Sequence, residues 1–192
     1  MPTKLGLVSD VHAKVAPLRR AFEVFAAKGV KAVICAGDIT GYNEELHGVV
    51  DLLTEHDCWV IRGNHDARAL RHPWPHEKDF VGPFFSRLQD FLELIVEGLG
   101  VYVVHASPPD SRIHGIDLVN FRGEVIPRKR AYWETRLEAF NCDVLIVGHI
   151  HRPFAETLGD TLVVNPGSTC FNYTCATLTL PSREVEFFPL DG

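Results

Sequence analysis

The chain has 192 residues, 46% of them hydrophobic and 23% charged, with a formal net charge of −6. That is apolar material for one large globular domain spanning 1–192, and it excludes a disordered or fibrous chain. An acidic protein offers no global basic field for a long nucleic acid, and no stretch approaches the ~20 apolar residues of a membrane helix.

Met1 to Asp10 holds one lysine and a short apolar run, Leu5 to Val8. A secretory signal needs more, so a cytoplasmic protein is expected. The five cysteines, at 35, 58, 142, 170 and 175, are odd in number and form no C-x-x-C pair. Reduced, mostly buried thiols are therefore expected rather than a disulfide framework.

In chain order, Leu5–Val8 reads as a strand and Pro17–Lys28 as a helix with Leu18, Phe22 and Phe25 at helical spacing and Gly29 at its C-terminal end. Ala32–Cys35 is a second strand. Asn43–Glu55 is a second helix with Asn43 as N-cap, and Trp59–Ile61 a third strand. Strands separated by single helices predict right-handed crossovers and a largely parallel sheet. Beyond them, Leu92–Val96 and Val101–Val104 flank a hairpin turn at Gly98-Leu99-Gly100. Residues 107–132 mix Pro, Gly, Arg and His and read as a surface excursion or lid. Arg136–Phe140 reads as helix. Further strands are expected at Val144–Val147, Thr161–Val164, Tyr173–Leu180 and Glu184–Phe188.

The informative residues stand at the ends of the apolar runs. Those runs lead into Ser9-Asp10-Val11-His12, Gly37-Asp38, Gly63-Asn64-His65-Asp66, His105 and Gly148-His149-Ile150-His151. In open α/β sheets, ligands bind beyond the carboxyl ends of the strands. Asp10 and His12 are two apart, as are His149 and His151, so each pair shares a face if the chain is extended there. Glycines at 37, 63 and 148 precede the polar residues, where a tight turn or close backbone approach is expected. Imidazoles, carboxylates and an amide without thiolate suit Mn²⁺, Fe, Zn²⁺, Co²⁺ or Ni²⁺ better than Ca²⁺ or a soft metal. Asp10, His12, Asp38, Asn64, His105, His149 and His151 exceed the needs of one ordinary zinc site. A pair of ions ~3.5–4 Å apart would use them all if one carboxylate bridges, and would serve in-line displacement at phosphorus.

This series of motifs resembles the calcineurin-like metallophosphoesterase superfamily, and within it the short single-domain bacterial and archaeal phosphodiesterase-like branch. Asn165-Pro166-Gly167-Ser168 after the last motif adds to the likeness. The resemblance implies an α/β (α+β) fold, a four-layer sandwich of two mixed β-sheets flanked by helices, with the site at a sheet edge. It implies that Asp10, His12, Asp38 and His151 hold one divalent ion, Mn²⁺ being favoured. Asp38, Asn64, His105 and His149 hold another, with Asp38 shared. A hydroxide bridging the ions would attack phosphorus, and His65 would act as general acid. The expected partner is a small phosphoester or nucleotide, with phosphodiesters preferred.

Asp38 is followed by Ile39-Thr40-Gly41-Tyr42, whereas related protein phosphatases carry Asp-Arg-Gly, which argues against a phosphoprotein substrate. His65 is retained, which favours catalysis. Two alternatives stand beside the phosphodiesterase: a phosphomonoesterase, and a catalytically weak scaffold on the same fold. Asp66 either orients His65 or caps the helix next to it. Asn165-Pro166-Gly167-Ser168 reads as a structural turn beside the site. Arg112, Arg122, Arg128, Lys129 and Arg130 read more readily as a solvated face than as a phosphate-binding patch, and Trp74 as packing. His47, His56, His72, His76 and His114 read as surface histidines.

Overall fold

A computed structural model describes residues 2–75 and 77–190; the side chains of residues 79–81 lie outside that description, as does His76. The described elements run β1 (Thr3–Val8), α1 (Val15–Lys28), β2 (Ala32–Cys35), α2 (Leu46–Glu55), β3 (Trp59–Val60), α3 (Asn64–Arg71) and α4 (Lys78–Phe85). They continue with β4 (Phe91–Val96), β5 (Leu99–Val104), α5 (Pro127–Leu137), β6 (Val144–Ile146), β7 (Phe154–Leu158), β8 (Thr161–Asn165), β9 (Thr174–Leu180) and β10 (Glu184–Pro189).

These strands form two mixed sheets with three apolar layers. One sheet has the order β10-β9-β1-β2-β3 and the other β4-β5-β6-β8-β7. β1, β2 and β3 are mutually parallel, and so are β5, β6 and β8; the flanking strands are antiparallel. Leu5, Leu7, Ile34, Val101, Val103, Val144, Ile146 and Leu178 meet in the layer between the sheets. The alternate residues, such as Val8, Val33 and Cys35, face α1 and α2. On the far side Tyr102, Val104, Leu145 and Val163 pack under Leu137 of α5 and under Ile116, Leu118 and Val119. Both faces of the central strands are covered, so their sequences are continuous apolar runs rather than alternating ones. At Gly6 of β1 the Phe25 ring lies where a side chain would begin, 2.8 Å from an added Cβ, which draws α1 down onto the sheet.

The four-layer α/β sandwich is the expected fold, and several element boundaries need correction. The hairpin turns at Glu97-Gly98, with Leu99 already paired to Val96. Both turn residues have positive φ, 51° and 81°, as a two-residue type I′ turn requires. The helix expected at Arg136–Phe140 is α5, which begins at Pro127 and ends at Leu137. Leu137 is its one fully buried residue, so the helix carries no apolar stripe; its signal was the proline in the first turn. α2 starts at Leu46 after Glu45, and Asn43 is not its cap: the Asn43 amide donates to the His12 carbonyl at 2.8 Å. β7 and α4 carried no pattern that set them apart. All five cysteines are free, and no helix among the described residues is long and apolar enough to cross a membrane.

Candidate metal centre

Five strand ends from the two sheets deliver Asp10 and His12 (after β1), Asp38 (β2), Asn64 (β3), His105 (β5), and His149 and His151 (β6). The chain around Asp10, His12, Asp38, His149 and His151 is not extended: their φ angles are 53°, 47°, 55°, 69° and 56°. Asp10 and His12 still converge on one region, but through turns rather than an extended chain, and His149 and His151 do not share a face. These five candidate residues stand on left-handed turns, a conformation that costs a non-glycine residue about 1–3 kcal/mol and is kept at functional sites by its surroundings. Backbone bonds lock those turns, with the amides of Asp10 and His12 donating to the carbonyls of Gly37 and Asp38, each at 3.0 Å. His149 and His151 consequently diverge, one to each end of the site.

At one end are Asp10, His12 and His151. The His12 Nδ1 lies 3.1 Å from the Thr40 carbonyl, to which it donates, so its Nε2 turns an unprotonated lone pair inward. That Nε2 is 3.4 Å from the His151 Nε2. Asp10 is fully buried; its Oδ2 accepts from Ser9 Oγ at 2.6 Å and from the His149 amide at 3.0 Å. Its Oδ1 has no hydrogen-bond partner and lies 3.1 Å from the His151 Nε2. A buried carboxylate oxygen without a donor costs several kcal/mol, and a cation between it and two imidazole nitrogens removes that cost. Burial also lowers the His12 pKa, which keeps the ring neutral and ready to ligate.

At the other end are Asn64, His105 and His149. The His105 Nδ1 donates to the Ala36 carbonyl at 2.7 Å, and the His149 Nε2 to the Ile113 carbonyl at 3.1 Å. Their other nitrogens meet at the Asn64 amide, 3.0 and 2.9 Å from its oxygen. The amide can present either end here. Its NH₂ reaches both nitrogens and the Arg112 carbonyl with two protons to share among them, whereas its oxygen offers an acceptor to a cation.

Asp38 stands between the two ends and belongs to two of the three described groups of side chains able to hold an ion. Its Oδ1 accepts the His65 amide at 2.8 Å, and its Oδ2 is 3.4 Å from the His105 Nε2. Burial works against the Asp38 charge, but the His105 imidazole outweighs it and holds the acid at about 2. Burial likewise opposes charge on His105, and the Asp38 carboxylate lifts that ring to about 9. The donor set fits divalent metal: two clusters of nitrogen and oxygen donors lie around one central carboxylate, with His12, His105 and His149 each pinned by a carbonyl behind the ring.

Asp66 touches the loop and not His65. Its buried carboxylate accepts the amides of Gly63 (2.8 Å), Asp38 (2.9 Å), Ile39 (2.9 Å) and Thr40 (3.0 Å). The capping expectation holds for Gly63, and the orienting one does not. Burial and the Asp38 charge push Asp66 up, to about 7, against those four donors. Residues 165–172 buttress the site, as a structural turn should. The Asn165 amide donates to the Gly148 carbonyl, the Ser168 hydroxyl to the Asp10 carbonyl, and the Asn172 amide to the His151 carbonyl.

Sequence reasoning missed an aromatic wall. Phe171 stacks on the His151 ring at 4.8 Å, and Tyr42 contacts His12, His65 and Phe171 at 4.8, 4.9 and 5.2 Å. Both are widely exposed, as is Trp74, which lines a cavity with Tyr42 and His65 instead of packing. Of the basic stretch, Lys129 and Arg130 are tied into ion pairs with Asp117, Glu134 and Glu156, as a solvated face would be.

Residues 3–182 match the calcineurin-like phosphoesterase superfamily domain. A phosphodiesterase of Methanocaldococcus jannaschii is 25% identical over 170 residues, covering 87% of this chain and 84% of that protein. The phosphodiesterase YfcE of Escherichia coli K12 is 25% identical over 86% of this chain and 78% of its own length. A solved hypothetical protein of Pyrococcus horikoshii has the same fold, with a TM-score of 0.78 at 17% identity over 98% of this chain and 88% of that one. A metallophosphoesterase from Sphaerobacter thermophilus aligns with a TM-score of 0.74 at 19% identity, over 98% and 89%.

Proposed function

The chain belongs to the calcineurin-like phosphoesterase superfamily, and from that membership we propose that it is a metal-dependent phosphodiesterase for small or nucleotide phosphoesters. The observation that carries this reading is the buried Asp10 Oδ1, which has no hydrogen-bond donor and lies 3.1 Å from the His151 Nε2, beside a His12 ring whose own proton is given to the Thr40 carbonyl. Asp10, His12, Asp38 and His151 hold one ion, and Asp38, Asn64, His105 and His149 the other, with Mn²⁺ the first metal to test. When bound, such a pair supplies an activated water and neutralises charge on the phosphoryl oxygens.

The protein's own groups do the rest. The carbonyls of Thr40, Ala36 and Ile113 accept from His12 Nδ1, His105 Nδ1 and His149 Nε2, which leaves the other ring nitrogen of each turned toward the site for a cation to take up. His65, first in line after Asn64 on α3, is the proton donor for the leaving oxygen. Its ring lines the cavity with Tyr42 and Trp74, which gives the leaving group a partly apolar berth. The two sheets share one core and act as one domain, and the five unpaired thiols fit a reducing, cytoplasmic compartment.

The test strips the protein with chelator, reloads it with Mn²⁺, and compares bis(p-nitrophenyl) phosphate with p-nitrophenyl phosphate. Metal-dependent turnover with a preference for the diester is expected. Preference for the monoester would make the protein a phosphomonoesterase. Full metal occupancy without turnover of either would leave a binding scaffold.

A further inference from the structure

Beside the metal centre, α3 and the segment 110–113 enclose a cavity of about 400 Å³ whose walls include Asn64, Arg68, Arg71, Asp110, Arg112 and Ile113. Two of these residues already belong to the site: Asn64 faces His105 and His149, and the Ile113 carbonyl fixes the His149 ring. The cavity is thus the direct extension of the centre along α3. Residues 64, 68 and 71 share one face of a helix, so Arg68 and Arg71 line up one and two turns beyond Asn64.

The charge balance there is opposite to that of the molecule. Three guanidinium groups against the single carboxylate of Asp110 make the lining positive in a chain whose net charge is −6. Arg112 is held at the wall by Asp90, at 2.7 Å. Arg71 reaches no carboxylate among the described residues, its one contact being the Ala67 carbonyl at 3.4 Å. Arg68 is exposed, has no ion pair among the described residues, and also lines the cavity of Tyr42 and His65. Arginines that go unpaired in an acidic protein, gathered on one cavity wall, suit the planar, bidentate recognition of phosphate.

We propose that Arg68, Arg71 and Arg112 form a second anion subsite that binds a non-reacting phosphate carried by the substrate beyond the scissile one. The inference rests on the phosphodiesterase reading of the neighbouring centre and narrows its substrates to phosphoesters bearing a further phosphate. Substrates with a single phosphate leave the arginines unused.

Calorimetric titration of the Mn²⁺-loaded protein with inorganic orthophosphate and with inorganic diphosphate tests this, with free Mn²⁺ matched in cell and syringe. The wild type is expected to bind diphosphate roughly tenfold more tightly or better, the gain from one or two added charge-assisted hydrogen bonds. In the Arg68→Ala/Arg71→Ala variant that preference is expected to fall to within about twofold. Circular dichroism checks that the exposed substitutions leave α3 folded. Equal affinity for the two anions in the wild type, or an unchanged preference in the variant, would overturn the proposal. Turnover of bis(p-nitrophenyl) phosphate by the wild type reports separately on the phosphodiesterase reading. A diphosphate preference that depends on the arginines, without that turnover, keeps the subsite and removes the catalytic assignment.

Discussion

Asp66 holds Asp38 in place from below: its carboxylate accepts the Asp38 backbone amide at 2.9 Å and, through the same two oxygens, those of Gly63, Ile39 and Thr40. The central candidate ligand therefore depends on a carboxylate that faces no cation of its own. Replacing Asp66 with Asn keeps the volume but turns an NH₂ toward two amide donors. Removing an acceptor from buried amides costs about 1–3 kcal/mol for each donor left unmet. The Asp66→Asn variant is expected to lose roughly 5–10 °C in Tm, at about 2–4 °C per kcal/mol for a chain of this size. It should also bind less metal, measured by elemental analysis after Mn²⁺ reloading. An unchanged Tm with full metal content would show that the loop does not need this carboxylate.

His65→Ala separates proton donation from metal retention. The backbone amide of His65 is what bonds to Asp38, and alanine keeps it. Metal content is therefore expected to stay normal, while turnover falls by roughly 10²–10⁴ if the ring serves as general acid. The loss should be larger for an alkyl leaving group than for p-nitrophenolate, which departs without a proton. Equal losses on both would remove the general-acid assignment. A collapse of metal content would make the residue structural.

The candidate site was legible because most of its polar clusters directly succeed a buried strand, and a strand buried on both faces is an unbroken apolar run such as Val144–Val147. The way the ligands meet was not legible. Asp10, His12, Asp38, His149 and His151 adopt positive φ although a glycine stands beside two of them, Asp38 and His149, and nothing in residue type says which position takes the turn. The pairing of His151 with Asp10 and of His149 with Asn64 comes from opposite sides of one left-handed turn, which spacing alone cannot resolve. Most of α5 escaped notice, only its last turn being expected as helix, because an exposed helix has no periodicity to read. Arg68 and Arg71 lacked a signal because exposed arginines on a helix are ordinary until the fold sets them beside a site.

Burial pushes the thiols of Cys58 and Cys175 up to about 12 and that of Cys142 to about 11. At pH 8 the native thiols should react with iodoacetamide roughly a thousandfold more slowly than free cysteine, because the thiolate is the nucleophile. Since the folded pKa values exceed the unfolded ones, the folded chain keeps protons that the unfolded chain sheds above about pH 8.5. This contribution is intact below that value and declines as pH climbs toward the folded pKa values. A falling Tm between pH 9 and 11 is expected, and fast native alkylation or a flat profile would contradict the burial of these thiols.

Two glycines should respond to the same substitution with opposite signs. At Gly148 an added Cβ would stand 1.9 Å from Ser9 Oγ and 2.8 Å from Asp10 Oδ2. Ser9 and Asp10 are fully buried and bonded to each other, so neither can withdraw without giving up the hydroxyl that satisfies Oδ2. Overpacking of this kind costs about 1–3 kcal/mol before any loss of that bond. Gly148→Ala is expected to lower Tm by roughly 5 °C or more and to weaken metal uptake at the Asp10, His12 and His151 end. At Gly100, inside β5, an added Cβ meets nothing closer than Asp143 Oδ2 at 3.6 Å, an ordinary contact, and the backbone is extended strand. There alanine removes conformational freedom from the unfolded chain and should stabilise by about 0.5–1 kcal/mol. Scanning calorimetry of the two variants side by side reads both signs. A tolerated Gly148→Ala with normal metal content would mean that the β6 loop can retreat from Asp10, and that the close packing of these two strand ends is not what fixes the site.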